Sequence, residues 1–239
     1  MSGLPLPAAG ESHVWVARLG ALREALPALG NLLSEEERAR QSRLLREPDR
    51  AMFALSIAMR RLLLGRYLDV SPEAVAFETG HEGKPSLRQS TADRLHFNVT
   101  HSGDVAIVAV ARVELGVDIE EVRPLDDLAA LVRSLSPIER RAFDQLPHEM
   151  HLAVFFACWS RKEALAKATG LGLTLPLDSF DVIDDAASVA CTLRAVRDPR
   201  IASVQWAIQD LPILNGYAAA IATRAPGVSV RLLEWRGPS

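Results

Sequence analysis

The chain has 239 residues, of which 49% are hydrophobic, and it carries 27 basic and 30 acidic side chains. This is the composition of a globular protein with one or two domains, so it excludes a disordered chain and a collagen-like repeat. The net charge of −3 gives no overall positive field, so we expect neither a nucleic-acid partner nor an electrostatically bound membrane.

The two cysteines, Cys158 and Cys191, are too few for a disulfide framework or a four-cysteine zinc site. The first residues lack the basic and apolar regions of a signal peptide, and no apolar run approaches the ~20 residues that span a bilayer. We therefore expect a cytoplasmic protein without a membrane partner.

The first half begins with a strand, followed by two helices and further strands. Ser34 and Glu37 form the pattern of a capping box, which starts a helix. The predicted elements are a strand near 13–19, a helix after Ser34, a long helix over 49–68, and strands near 74–78, 95–100 and 105–112.

The second half repeats this order. Pro137 follows Ser136 at the first position of a predicted short helix, and Gly170 is the predicted cap of a longer helix. The predicted elements are a strand over 116–122, a helix from Ser136, a long helix over 149–169, and strands near 179–182, 190–196, 203–209 and 217–223.

An internal duplication is indicated by matching segments. Leu33–Arg38 resembles Leu135–Arg140, and other pairs of segments recur in the same order. The sequence thus predicts a mixed α+β (α/β) fold with two pseudo-symmetric halves, 1–112 and 113–239. Each half is a small sheet packed with a long helix, and we expect a ligand cleft at the seam.

Two carboxylates are predicted to share one face of the strand that opens the second half. Asp118 and Glu120 are two positions apart, so both side chains point the same way while Val117 and Ile119 point into the core. Oxygen ligands at this spacing suit Mg²⁺ or Mn²⁺. The alternative is the polar face of a half-exposed strand.

A third carboxylate lies on the second long helix. Glu163 is one turn from Lys167 on one side and one turn from Trp159 on the other. An acid beside a large apolar group is partly buried and needs a partner or a metal. The alternative is a salt bridge between Glu163 and Lys167 on a solvated face.

The chain has only three lysines, Lys84, Lys162 and Lys167, and all three lie in these polar segments or in the loop at Gly83. Thr100 and His101 add a hydroxyl and an imidazole at the end of a strand, which suits an anion. Together with the three acids, these groups describe a metal–polyphosphate site. Neither a P-loop nor a dinucleotide-binding glycine motif is present.

Four segments carry a resemblance to the 4′-phosphopantetheinyl transferases of the larger, Sfp-type class, which activate surfactin synthetase. The family has a Gly-Lys-Pro loop, a Phe-Asn-x-Ser-His-Ser segment, a Gly-Val-Asp-x-Glu strand and a Trp-x-x-Lys-Glu-Ala-x-x-Lys helix. Here they read Gly83-Lys84-Pro85, Phe97-Asn98-Val99-Thr100-His101-Ser102, Gly116-Val117-Asp118-Ile119-Glu120 and Trp159-Ser160-Arg161-Lys162-Glu163-Ala164-Leu165-Ala166-Lys167.

The resemblance implies transfer of 4′-phosphopantetheine from coenzyme A to a serine of an acyl, peptidyl or polyketide carrier protein. We expect the enzyme to be a monomer. The implied Mg²⁺ ligands are Asp118, Glu120 and Glu163, with Glu163 also the general base. The implied coenzyme A contacts are Lys162 and Lys167 at the phosphates, and Lys84, Thr100 and His101 at the adenosine 3′-phosphate. Lys167 is the second implied catalytic residue.

One departure concerns the 3′-phosphate. Many relatives carry an arginine where this chain has Met52, and the candidates to replace it are Arg50, Arg60 and Arg61.

Two other functions remain open. The same acids suit a metal-dependent hydrolase of nucleotides or polyphosphates, and a duplicated chain can also bind coenzyme A or a carrier without turnover.

Overall fold

The computed structural model describes residues 3–80, 83–88, 94–183, 191 and 193–238. The chain divides into two compact units, each with its own sheet and long helix. The first unit comprises Met1–Thr79, Pro85–Arg112 and Ser229–Ser239, and the second comprises Gly80–Lys84 and Val113–Val228.

The first unit has three α-helices and six strands among its described residues. They are β1 (Glu11–Arg18), α1 (Leu26–Gly30), α2 (Glu35–Ser42), α3 (Glu47–Leu68), β2 (Phe77–Thr79), β3 (Pro85–Leu87), β4 (His96–Ser102), β5 (Val105–Ala111) and β9 (Ser229–Glu234). Four of these strands form a sheet in the order β4-β5-β1-β9, and β2 pairs with β3. Strand β1 runs antiparallel to β5 and parallel to β9.

The two helices that the sequence predicts for this unit form as α2 and α3, whereas the short helix α1 was not predicted. The Ser34 side chain accepts from the Glu37 amide, and the Glu37 carboxylate accepts from the Ser34 amide, so the capping box is complete. Helix α3 buries most of its second half in the core and is capped by Asp69, which has left-handed backbone angles. All seven residues of β5 are buried, which explains their unbroken apolar sequence.

The second unit has the remaining elements. They are β6 (Leu115–Glu121), α4 (Leu128–Val132), α5 (Pro137–Asp144), α6 (His151–Thr169), α7 (Pro199–Ala202), β7 (Ala207–Asp210) and β8 (Tyr217–Thr223). The three strands form an antiparallel sheet in the order β6-β8-β7, and α6 packs across it. Both units therefore mix helices with small sheets, and the predicted α+β class is confirmed.

Three predicted strands differ from the structure. The segment near 74–78 starts with a 3-10 turn at Pro72–Ala74, so the strand begins only at Phe77. The segment near 203–209 is shortened, because Asp198 and Pro199 start the short helix α7 just before it.

Around 179–182 a 3-10 turn, Leu177–Ser179, replaces the expected strand, and Asp181 makes an isolated bridge to Arg194. The predicted strand over 190–196 lies partly outside the described residues. The sequence did not predict β9, whose mostly exposed residues follow no clear alternation. Because β9 pairs with β1, the last residues group with the first unit. The division into pseudo-symmetric halves, 1–112 and 113–239, stays a prediction.

Candidate functional site

Gly116 lets helix α6 lie directly against strand β6. A side chain at this position would overlap the Ala164 carbonyl oxygen and the Ala168 amide nitrogen of the helix. Opposite Gly116 and Asp118, strand β8 presents the small side chains Ala222 and Ala220. Helix and sheet backbones therefore approach closely at this point, and the side chains on the adjoining turns of α6 come within reach of β6.

Asp118 lies on the same face of β6 as Gly116, since the two residues are two positions apart. Its side chain is buried, and its Oδ1 accepts a hydrogen bond of 2.6 Å from Lys167 Nζ. Lys167 Nζ also lies 3.5 Å from the Val117 carbonyl oxygen. Glu120 is on this face too, but it lies near the end of the strand and is only half-buried.

Glu163 is half-buried and lies one turn before Lys167 on α6. Burial raises the pKa of the Glu163 carboxyl, the negative charge of Asp118 raises it further, and Lys167 opposes the change. Asp118 and Glu163 are thus close enough to repel each other. Strand β6 and helix α6 thus bring Asp118, Glu163 and Lys167 together, and their roles as metal ligands and phosphate contact stay predictions.

These carboxylates supply the hard oxygen ligands that Mg²⁺ prefers. Asp118 and Glu163 repel each other, and a cation bound between them would reduce that repulsion. As the side chains stand, no three acids, imidazoles or thiols of the described residues are close enough to form a ready metal cluster. Asp118 is held by Lys167 instead, so a metal would need Glu120 and Glu163 to converge on Asp118.

Lys84 lies in the second unit, at the C-terminal end of α6. Its Nζ donates to the Leu115 carbonyl at 2.9 Å and to the Ala168 carbonyl at 3.2 Å. Burial lowers the pKa of Lys84 to about 8, and Glu114 partly opposes this change. The ammonium thus stabilises the end of the helix, and its predicted contact with a 3′-phosphate stays a prediction.

Lys162 has no exposed side-chain surface. Its Nζ lies 2.8 Å from Glu139 Oε2 and donates to the carbonyl oxygens of Leu177 and Phe180 at 2.6 and 2.7 Å. The three donors of an ammonium are therefore all used inside the protein. This arrangement leaves no exposed Lys162 atom for the phosphate contact that the resemblance implies.

Thr100 and His101 lie within β4 of the first unit, which continues to Ser102 and turns at Gly103. Because they are neighbours in a strand, their side chains point to opposite faces of the sheet. Thr100 is buried and His101 is exposed. They do not form the shared polar tip that the sequence suggests, and a role for each in binding coenzyme A stays a prediction.

The arginines considered as replacements at Met52 are engaged within the first unit. Met52 itself is buried in the core. Arg60 and Arg61 both hold the Glu37 carboxylate, and Arg50 donates to the Leu44 and Leu45 carbonyls.

A cavity of about 390 Å³ lies in the second unit beside the end of β6. Ala218, which pairs with Glu120, lies in its wall, so the cavity is adjacent to the acidic face. Most of its lining residues are small or apolar: Val122, Ala153, Ala157, Leu211, Gly216, Ala218 and Ala219. Asp210 also contributes, and its carboxylate accepts from Arg161.

Sequence reasoning missed Glu139, which holds Lys162. The capping box formed with Ser136 was the available signal, because it repeats the box of Ser34 and Glu37. It also missed the pairing of Arg161 with Asp210, since the two residues are 49 positions apart. No helix of the described residues combines the length and the apolar character that crossing a membrane requires.

Comparison with known proteins agrees with these motifs. Residues 114–222 match the 4′-phosphopantetheinyl transferase superfamily, and residues 21–113 match the N-terminal part described for a 4′-phosphopantetheinyl transferase. The chain is 37% identical to 4′-phosphopantetheinyl transferase HetI of a Nostoc strain over 166 residues, which are 68% of this chain and 70% of the relative.

Two Bacillus proteins extend the comparison. The chain is 32% identical to 4′-phosphopantetheinyl transferase psf-1 of Bacillus pumilus, over 87% of this chain and 85% of the relative. It is 30% identical to 4′-phosphopantetheinyl transferase Sfp of Bacillus subtilis, over 64% of this chain and 66% of the relative. The chain therefore belongs to the 4′-phosphopantetheinyl transferase superfamily and to its Sfp-type members.

Proposed function

We propose that the protein transfers 4′-phosphopantetheine from coenzyme A to a serine of an apo carrier protein, in a reaction that depends on Mg²⁺. The products are the holo carrier and adenosine 3′,5′-bisphosphate. The observation that supports this most directly is the grouping of Asp118, Glu163 and Lys167, which the contact at Gly116 brings together.

In this reaction the serine oxygen forms a bond to the phosphorus that carries pantetheine. The bond from that phosphorus to the bridging oxygen of the pyrophosphate breaks, and adenosine bisphosphate leaves with the electron pair. The serine proton goes to the Glu163 carboxylate, directly or through one water. Burial raises the pKa of Glu163, which makes its carboxylate a stronger base than an exposed glutamate.

Asp118, Glu120 and Glu163 would hold the Mg²⁺ ion, and their oxygen ligands also suit Mn²⁺. When bound, the ion supplies charge stabilisation to the pyrophosphate. Lys167 holds Asp118 at 2.6 Å, and its ammonium is part-exposed. We assign to Lys167 the contact with the phosphates, because it is a part-exposed cation in direct contact with Asp118.

The cavity beside Glu120 has the small and apolar lining that suits the pantetheine arm. Lys84, Thr100 and His101 are assigned to the adenosine 3′-phosphate end, as the family resemblance implies. We further propose that the two halves are pseudo-symmetric, with the ligand cleft at their seam. The enzyme is proposed to be monomeric and cytoplasmic.

The test is an intact-mass measurement. The protein is incubated with coenzyme A, Mg²⁺ and a panel of apo acyl, peptidyl and polyketide carriers. We expect at least one carrier to gain the mass of one phosphopantetheinyl group, and a carrier with its serine replaced by alanine to gain nothing. Cleavage of coenzyme A without any carrier would favour the hydrolase, and binding without turnover would favour the non-catalytic protein.

A further inference from the structure

The ion pair of Lys162 and Glu139 lies entirely inside the second unit. Neither side chain is exposed, and the Nζ–Oε2 distance is 2.8 Å. The Glu139 carboxylate also accepts from the Ser136 amide at 2.9 Å and from the Val182 amide at 2.8 Å. A buried carboxylate with this many donors is satisfied without any ligand.

This pair joins three stretches of chain. Glu139 belongs to the first turn of α5, and the carbonyls that accept from Lys162 belong to Leu177 and Phe180. The Lys162 ammonium also lies 4.4 Å from the centre of the Phe180 ring. Lys162 thus fixes α6 to α5 and to the segment that follows α6.

The Lys162–Glu139 ion pair and Gly116 lie against opposite sides of helix α6. Residues 162 and 164 are two positions apart, so their side chains point in directions about 200° apart around the helix axis. Ala164 faces β6 at Gly116, so Lys162 faces away from the sheet. Glu163 lies between these two directions. A rotation of α6 that carried Glu163 away from Asp118 would have to break the Lys162 contacts.

The first unit contains the same arrangement. Glu37 completes the capping box of α2, and Arg60 of the next long helix holds its Oε1 at 2.7 Å. Arg60 follows Glu37 by 23 residues, and Lys162 follows Glu139 by the same separation. In both units, therefore, a cation of the long helix holds the capping glutamate of the preceding short helix.

From these contacts we propose that Lys162 is a positioning residue that sets the orientation of Glu163 through Glu139, and that it does not bind the phosphates of coenzyme A. The kinetic part of this inference rests on the proposed transferase function. The structural part stands on the contacts of the second unit alone.

The first experiment is a double-mutant cycle on stability, with Lys162→Met, Glu139→Gln and the double variant. Each single change leaves one buried group without its charged partner, so we expect a clear fall in melting temperature. The double variant removes both charges and is expected to recover most of that fall. A double variant no more stable than the singles, or one that fails to fold, would overturn the proposal.

The second experiment separates positioning from phosphate binding in the kinetics. Lys162→Met is expected to lower kcat by up to about 10²-fold, as a displaced catalytic group does, while KM for coenzyme A changes little. The double variant is expected to regain most of kcat. If Lys162 bound phosphate, KM for coenzyme A would rise more than about tenfold in Lys162→Met and in the double variant, and adding Glu139→Gln would not lower it again.

Lys167→Met is the matched control, because Lys167 is a second lysine of the same helix but its side chain is part-exposed and does not contact Glu139. Adding Glu139→Gln to Lys167→Met is expected to restore none of the lost activity. If the parent transfers nothing, the proposed function fails, and the stability cycle still decides the structural part of the inference: a double variant no more stable than the single variants would overturn it.

Discussion

Lys167 Nζ lies 2.6 Å from Asp118 Oδ1, so the most buried acid of the site is already paired with a cation in the protein itself. Lys167 is part-exposed while Asp118 is buried. The pair therefore neutralises the charge of Asp118, and the proposed binding of Mg²⁺ would require Lys167 to share or release this carboxylate.

The first prediction concerns Asp118→Asn. If Asp118 only repelled the other acids, removing its charge would leave the fold intact or slightly stabilise it. Because Asp118 is paired with Lys167, we now expect a loss of about 1–3 kcal/mol in the free energy of unfolding. We also expect the pKa of Glu163 to fall, since Asp118 raises it. Chemical denaturation and a carbon-13 titration measure the two effects, and an unchanged Glu163 pKa would contradict the geometry.

The second prediction concerns the close approach at Gly116. Gly116→Ala places a methyl group against the backbone of α6, so we expect a loss of about 1–3 kcal/mol and a displaced helix. Transfer activity should fall with it. Gly30→Ala is the control, because no atom lies within 4 Å of the added carbon. Equal stability of the two variants would show that α6 does not press on β6.

The third prediction follows from Lys84, whose pKa burial lowers to about 8 from the ordinary 10.5. Below pH 8 both the folded and the unfolded chain hold the proton, and the full cost of burying the charge is present. Between pH 8 and pH 10.5 only the unfolded chain holds the Lys84 proton, so the free energy of unfolding rises with pH over this range.

Lys84→Met should lack that rise. The measurement is the free energy of unfolding of both proteins between pH 7.5 and 10.5, taken as a difference so that other titrating groups cancel. A difference that stays constant with pH would contradict the lowered pKa of Lys84.

The fourth prediction concerns His101, whose side chain is exposed on β4. Its replacement should leave the fold unchanged. If it contacts the 3′-phosphate, His101→Ala raises KM for coenzyme A more than it lowers kcat, because that group is remote from the reacting phosphorus. Dephospho-coenzyme A should be used equally by the variant and the parent. A variant that still discriminates strongly between the two substrates would refute the assignment.

The sequence predicted much of this site because its signals are local. The two-residue period placed Asp118 and Glu120 on one face of a strand, and the helical period placed Glu163 beside Lys167. Capping patterns at Ser34 and Ser136 located two helices.

The missed features depend on contacts between distant residues. Lys162 is buried only because Glu139 and two carbonyls from later segments surround it. Strand β9 exists through its parallel pairing with β1, and its own mostly exposed residues carry little strand pattern. Such pairings produce no periodic pattern in the sequence, so sequence patterns alone do not predict them.

The most direct test of the account is the transfer rate of Glu163→Gln with saturating Mg²⁺ and coenzyme A. Glutamine keeps the size and one acceptor oxygen of Glu163 but loses the negative charge that, in our proposal, accepts the serine proton. We predict a folded protein that still binds coenzyme A and transfers at least ~10²-fold more slowly across the pH range. Transfer at close to the parent rate would contradict the account, because Glu163 would then be neither the base nor an essential ligand.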